Sequence, residues 1–175
     1  FPREERCRQQ QRPRRHRRTL PPLRAALLLL TLSAPAQAAC PGETLFSCTI
    51  GPKTVQVCHD AGSVTYSFGP KDAPELTLTE PLVSVAATRW PENMNATATW
   101  ETVEFFTNGT FYEVWTGLDA DLRDGGVKVR QGTTLIADLA CDPDTATPMD
   151  RLSVLKQGLG QCWDPDSQGW TPSCT

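Results

Sequence analysis

Apolar and polar residues alternate over short stretches from about residue 44 onward, which is the pattern of half-buried β-strands. Residues 44–50 and 53–58 flank Gly51-Pro52 and predict a first hairpin. Further strands are predicted at residues 63–68, 75–79, 82–86, 100–107, 110–116, 127–130 and 134–141, and a loop is predicted at 118–126. The pattern predicts about eight or nine antiparallel strands.

The clearest hairpin turns at Asn108-Gly109, a pair that favours a two-residue type I′ turn. This register sets Glu104 opposite Glu113. Because strand side chains alternate between faces, one face is apolar and is predicted to meet the core, with Val103, Phe105, Tyr112 and Val114. The other face carries Glu104, Phe106, Phe111, Glu113 and Trp115.

One helix is predicted after Thr147, which suits a cap, and Pro148, which suits the first turn. Met149, Leu152, Leu155 and Leu159 recur at helical spacing and are expected to contact the core. The tail at residues 161–170 is expected to be irregular and bridged. The predicted fold class is all-β, a mostly antiparallel sandwich or small barrel with one short C-terminal helix, stabilised by disulfides.

The N-terminal region has the pattern of an export signal. Nine arginines precede residue 25, residues 25–34 are almost all apolar, and Ala36-Gln37-Ala38 fits a cleavage motif. The apolar run is about half of the roughly 20 residues that a membrane span needs. We expect residues 1–18 to be a spurious or fragment extension, residues 19–38 a signal peptide and residues 39–175 a single β-rich domain in the periplasm, without a transmembrane segment. Lipidation at Cys40 and twin-arginine export are minor alternatives.

Charge and cysteine content describe the exported part further. Residues 40–175 carry 8 basic and 18 acidic residues, a net charge of about −10, which argues against nucleic acid binding and favours solubility or a basic partner. Six cysteines remain there: Cys40, Cys48, Cys58, Cys141, Cys162 and Cys174. An even number in an exported chain predicts three disulfides with 15 possible connectivities. At least one bridge is expected to join an early cysteine to a late one.

Glu104 and Glu113 allow three interpretations. A pair of carboxylates is used by glycoside hydrolases. Alternatively, Lys128 and Arg130 on the next strand neutralise the pair on a solvated face. In the third interpretation the acids and the neighbouring Phe106, Phe111 and Trp115 form a docking surface for a partner.

Other motifs for chemistry are weak or missing. Residues 164–169 and 119–124 imitate parts of calcium loops, but ordinary turns are favoured. The sequence has no Gly-x-Ser-x-Gly, His-Glu-x-x-His, P-loop or dinucleotide fingerprint. No catalytic residue, metal or cofactor is predicted.

Residues 40–48 (CPGETLFSC), 53–58 (KTVQVC) and 64–69 (VTYSFG) resemble an uncharacterised family of exported proteins from Gram-negative bacteria. Residues 104–114 and 126–141 look like its second half, so the resemblance covers most of residues 40–141. The strand with Phe-Ser-Cys, the hairpins and the late cysteine strand are also distantly similar to periplasmic inhibitors of C-type lysozyme. That similarity implies a small β-barrel and a basic envelope protein such as a lysozyme as partner.

The function predicted from these observations is a non-enzymatic binding module of the cell envelope. The first alternative is a lysozyme-inhibitor-like protein. The second alternative is a carbohydrate-active enzyme that depends on the two carboxylates.

Overall fold

The computed structural model describes residue 40 and residues 42–90, 98–119 and 121–173. One antiparallel sheet has the order β1 (Glu43–Ile50), β2 (Lys53–Asp60), β3 (Ser63–Gly69) and β4 (Leu76–Pro81). A second has the order β5 (Ala86–Trp90), β6 (Ala98–Thr107), β7 (Thr110–Asp119), β8 (Leu122–Gln131) and β9 (Thr134–Ala140). Helix α1 (Asp150–Gly158) and a hairpin of β10 (Cys162–Asp164) and β11 (Gly169–Thr171) follow. The predicted all-β fold with one short helix is confirmed; the expected signal segment lies outside the described residues.

The two sheets share one apolar core, built from the alternating side chains that the sequence places on one face of each strand. Tyr66 of β3 stacks against Phe105 of β6 with ring centroids 5.5 Å apart, so the two sheets are in direct contact. The fully buried side chains of the core include Phe46, Val55, Val57, Val64, Val103, Val114 and Val127. The solvent side of the second sheet, opposite this core, is called the outer face below.

Residues 82–86, predicted as a strand, instead contain the turn that leads from the first sheet to the second. The N–H groups of Ser84 and Val85 both donate to the carbonyl of Pro81, at 3.0 and 2.9 Å. Leu82 and Val85 are buried in the core, whereas Val83 is exposed. The apolar spacing in this segment therefore reflects a turn that inserts two side chains into the core.

The segment after β9 covers the edge of β1. The Ser47 N–H donates to Thr147 Oγ1 at 2.8 Å, and the Thr49 N–H donates to Thr145 Oγ1 at 3.2 Å. These bonds satisfy edge groups that would otherwise be open to pairing with another chain. The predicted capping role of Thr147 is wrong, because its hydroxyl is used by β1 and the N-cap residue of α1 is Met149.

Helix α1 packs through its first turns. Met149 and Leu152 are buried and Leu155 is partly buried against the core, as predicted. Leu159 is 52 % exposed, so the predicted apolar stripe is wrong at that position. The helix ends before Leu159, which lies at its C-cap and turns away from the core.

Lys156 of α1 is buried against the turn between the sheets. Its Nζ donates to the carbonyl of Leu82 at 3.0 Å and contacts Gln161 Oε1 at 3.5 Å. Gln161 in turn donates from Nε2 to the carbonyl of Val83 at 2.9 Å. Burial lowers the pKa of Lys156 to about 8, since the charged ammonium loses its hydration there.

Two disulfides have both of their cysteines within the described residues. Cys40 bonds to Cys58, and Cys48 bonds to Cys141 across a sequence separation of 93. The second bridge confirms the prediction that an early cysteine joins a late one. Cys162 is also disulfide-bonded, and Cys174 lies outside the described residues.

Among the described residues, no helix has both the length and the apolar content needed to cross a membrane. The tail at residues 161–170, predicted to be irregular, contains the β10–β11 hairpin instead.

Candidate binding face

The hairpin of β6 and β7 has the predicted register. Glu104 lies opposite Glu113, and Phe105 lies opposite Tyr112. Phe105 is fully buried, and Tyr112 packs against the core. The two glutamates are therefore on the outer face, as the Asn108-Gly109 turn predicts.

Arg130 of β8 holds both glutamates. Its Nη2 bonds to Glu104 Oε2 and lies 3.5 Å from Glu113 Oε2. One guanidinium therefore bridges two carboxylates that would otherwise repel each other across the strands. The predicted neutralisation by a neighbouring cation is confirmed for Arg130, and these carboxylates are engaged in a structural ion-pair cluster.

Lys128 has a different role from the one predicted beside Glu113. The two residues are paired in the register of β7 and β8. However, the Lys128 ammonium lies over the rings of Trp100 and Trp115, 5.5 and 5.7 Å from their centroids. Its charge is therefore placed on an aromatic surface.

Two aromatic pairs lie at opposite ends of the outer face. Phe106 and Phe111 have ring centroids 4.7 Å apart near the hairpin turn, and Phe106 is 52 % exposed. Trp100 and Trp115 stack with centroids 4.6 Å apart and an interplanar angle of 9°. Phe106 and Trp100 are six positions apart in β6, a distance of about 20 Å along the strand.

Two glycines provide the space for the tryptophan pair. A Cβ atom at Gly117 would lie 3.1 Å from the ring of Trp100. A Cβ atom at Gly126 would lie 3.0 Å from Nε1 of Trp115 and 2.3 Å from a backbone carbonyl oxygen. Each ring therefore lies against the glycine that faces it across the next strand.

A third tryptophan extends this surface to the edge of the sheet. Trp90 of β5 is paired with Trp100 in the strand register and is 65 % exposed. Exposed apolar side chains that cluster on a solvent-facing surface are uncommon, and such clusters often mark sites that bind a ligand or another protein. The sequence-based interpretation included Trp115 but missed Trp90 and Trp100.

These tryptophans line a concavity of about 360 Å³, which we call the Trp groove. Its wall and rim include Trp90, Trp100, Trp115, Leu122, Asp119 and Asp124. A loop was predicted for residues 118–126, but residues 118–119 belong to β7 and residues 122–126 belong to β8. This correction places the two aspartates at the groove. Asp124 pairs with Gly117 and Asp119 pairs with Leu122, so both aspartates share the outer face with the tryptophans.

The aspartates of the Trp groove are exposed, and within the described part of the chain their carboxylates have neither a hydrogen bond nor an ion pair. The same part of the chain has no group of three or more His, Cys, Asp or Glu side chains that is suited to a metal ion. The arrangement offers ring faces and free acceptor oxygens, which is the chemistry of non-covalent recognition.

The other acidic segment is an ordinary turn. Asp164 accepts hydrogen bonds from the Ser167 hydroxyl at 2.6 Å and from the Asp166 N–H at 3.1 Å. These bonds favour the charged carboxylate and lower the pKa of Asp164. The carboxylate is therefore engaged within its own turn.

Comparisons of this chain with protein-family models, with curated proteins and with solved structures found no match.

Proposed function

We propose that this protein is a non-enzymatic binding module of the cell envelope and that its ligand is held at the Trp groove. The observation that carries the proposal is the grouping of Trp90, Trp100 and Trp115 on one solvated sheet face beside a concavity. Tryptophan is enriched at the centres of binding sites because it presents a large, rigid surface with few rotatable bonds. The glycines beneath the rings support the same role, since they hold the indoles in place before any ligand arrives.

Two features of the chain support a location in the cell envelope. Residues 25–38 have the composition of the end of an export signal. Disulfides such as Cys48–Cys141 form and persist in oxidising compartments, among them the bacterial periplasm.

The carboxylate-dependent enzyme is the weaker candidate. A general acid and a nucleophile or base must be free to face the same substrate bond. Arg130 contacts both Glu104 and Glu113, and it therefore occupies the space between them.

Binding to a basic envelope protein such as a lysozyme is the second candidate, and charge is the observation that favours it. Residues 40–175 carry a net charge of about −10. Asp119 and Asp124 are exposed at the Trp groove, and Asp121 is an exposed turn residue between them in the sequence. Opposite charges would speed the encounter with a basic protein. This candidate predicts that the purified protein slows lysis of cell walls by a C-type lysozyme and that the inhibition weakens in high salt.

The proposed function is tested by co-sedimentation of the purified protein with isolated cell-wall sacculi and outer-membrane vesicles, and by binding to immobilised soluble periplasmic proteins. We expect binding in at least one arm and its loss in the Trp90→Ala variant. Leu159→Ala is the control, since it removes another exposed apolar side chain, from the end of α1. Equal binding by the wild type and the Trp90→Ala variant in every arm, or no binding at all, would contradict the proposal.

A further inference from the structure

We infer that the Trp groove binds a neutral glycan chain of equatorially substituted pyranoses. This inference rests on the proposed function, because it names the class of ligand for the same site. Four features of the groove carry it: its ring faces, its free acceptors, the position of Lys128, and its size and openness.

The ring faces suit the apolar side of a sugar. In an equatorially substituted pyranose the axial C–H bonds form a flat surface on each side of the ring. The face of an indole carries the negative part of the ring quadrupole, which attracts such weakly positive hydrogens. Trp90 and Trp100 are 65 % and 37 % exposed, so their rings are accessible for this contact.

The acceptors suit the hydroxyl groups around the sugar ring. Asp119 and Asp124 flank the aromatic surface, and in the described part of the chain nothing bonds to their carboxylates. An ionised carboxylate accepts hydrogen bonds with two oxygens and makes stronger bonds than a neutral acceptor. A ligand that combines an apolar face with hydroxyl donors on its edge would satisfy both parts of the groove.

The position of Lys128 argues against a charged ligand. Its ammonium already lies over the Trp100–Trp115 pair, so a quaternary ammonium or a basic side chain on that surface would be repelled. An anionic ligand would instead face Asp119 and Asp124 at the rim. A neutral, polyhydroxylated ligand avoids both repulsions.

The size and openness of the groove favour a chain over a single enclosed sugar. A volume of about 360 Å³ lies at the lower end of the roughly 300–1,000 Å³ of small-molecule sites. Trp90 at one side and Leu122 at another are 65 % and 75 % exposed, so the rim is open to solvent. Sugar units on either side of the bound one can therefore continue into solvent.

The test is isothermal titration calorimetry with three small ligands: cellotetraose, chitotetraose and choline. We expect saturable binding of cellotetraose or chitotetraose, with choline at least tenfold weaker. Trp90→Ala and Trp100→Ala should each weaken the binding at least tenfold, and Asp124→Asn should weaken it several-fold. Leu159→Ala, which removes an exposed apolar side chain from the end of α1, should leave the affinity unchanged. Circular dichroism of each variant confirms that it is folded, and Trp90→Phe should retain part of the affinity.

The outcomes separate this inference from the proposed function. If neither tetrasaccharide binds while an envelope protein is retained in a manner that depends on Trp90, the glycan inference is overturned and the binding module stands. Stronger binding of choline than of the sugars would also overturn it. If no envelope fraction and no sugar binds, both proposals fail.

Discussion

Trp100 and Trp115 stack almost in parallel on the solvent side of the second sheet, with 4.6 Å between their ring centroids and 9° between their planes. They come from adjacent strands, where they occupy diagonally neighbouring positions on the outer face. Stacked aromatic pairs contribute roughly 0.5–1.5 kcal/mol beyond their buried area. The pair is therefore a rigid surface before a ligand binds.

Gly117→Ala is expected to disturb this pair. The new Cβ would lie 3.1 Å from Cε3 of Trp100, so the indole must move away from β7. The circular dichroism signal that arises from coupling between the two stacked indoles should be lost, and ligand binding should weaken. The free energy of unfolding should fall by about 1 kcal/mol. Gly132→Ala has open space around its Cβ but a left-handed backbone, so it should lower stability while leaving the indole signal unchanged.

Arg130→Met is expected to destabilise the protein at neutral pH. The substitution leaves Glu104 and Glu113 facing each other without the cation that now contacts both. All three side chains are partly solvated, so the loss should be only about 1 kcal/mol in denaturant unfolding at pH 7. The loss should shrink at high ionic strength, because salt screens the interactions among these three charged groups. A loss that is the same in low and high salt would show that Arg130 acts through packing instead.

Because Lys156 is buried, we expect the free energy of unfolding to rise in alkaline solution. Burial lowers its pKa to about 8 in the folded protein, against 10.5 as the reference value for the unfolded chain. Between these values the unfolded state binds the additional proton, so the free energy of unfolding should rise with pH, by up to about 1.4 kcal/mol per pH unit. Below pH 8 both states are protonated and the contribution is constant.

Lys156→Met is the matched comparison for this pH dependence. The free energy of unfolding of the wild type, minus that of the variant, should rise from pH 8 to pH 10.5. Burial raises the pKa of Tyr66, which lowers stability at high pH in both proteins, and the difference removes this effect. A difference that stays constant over this range would contradict the buried-amine account.

The two described disulfides should contribute unequally to stability. Cys48–Cys141 closes a loop with a sequence separation of 93, and Cys40–Cys58 one of only 18. In the chain-entropy model these loops correspond to about 4.5 and 3 kcal/mol. Cys48→Ala/Cys141→Ala should therefore lower the free energy of unfolding more than Cys40→Ala/Cys58→Ala. The opposite order would show that the N-terminal bridge has a specific structural role beyond loop closure.

The hairpin of β6 and β7 could be predicted from the sequence because its information is local. Asn108-Gly109 determines the turn, and the side-chain period of two then fixes which residues face the core. Residues 82–86 could not be predicted in this way. Leu82 and Val85 are buried in a turn around the Pro81 carbonyl, and their spacing also fits a short strand.

The Trp groove was only partly predictable for a related reason. Trp115 follows from the hairpin register, but Trp90 joins it through the pairing of β5 with β6, which no local turn signal specifies. Asp124 was assigned to a loop because residues 118–126 are rich in Asp and Gly. The pairing of β7 with β8 overrides that local preference and brings Asp124 opposite Gly117.

The binding site itself is tested most directly by two-dimensional NMR of the five tryptophan indole N–H groups during titration with chitotetraose and, separately, cellotetraose. We predict that the signals of Trp90, Trp100 and Trp115 shift in a saturable way with at least one of the two sugars, while those of Trp163 and Trp170 in the β10–β11 hairpin stay in place. Shifts confined to Trp163 and Trp170, or no saturable shift with either sugar, would contradict a glycan site at the Trp groove.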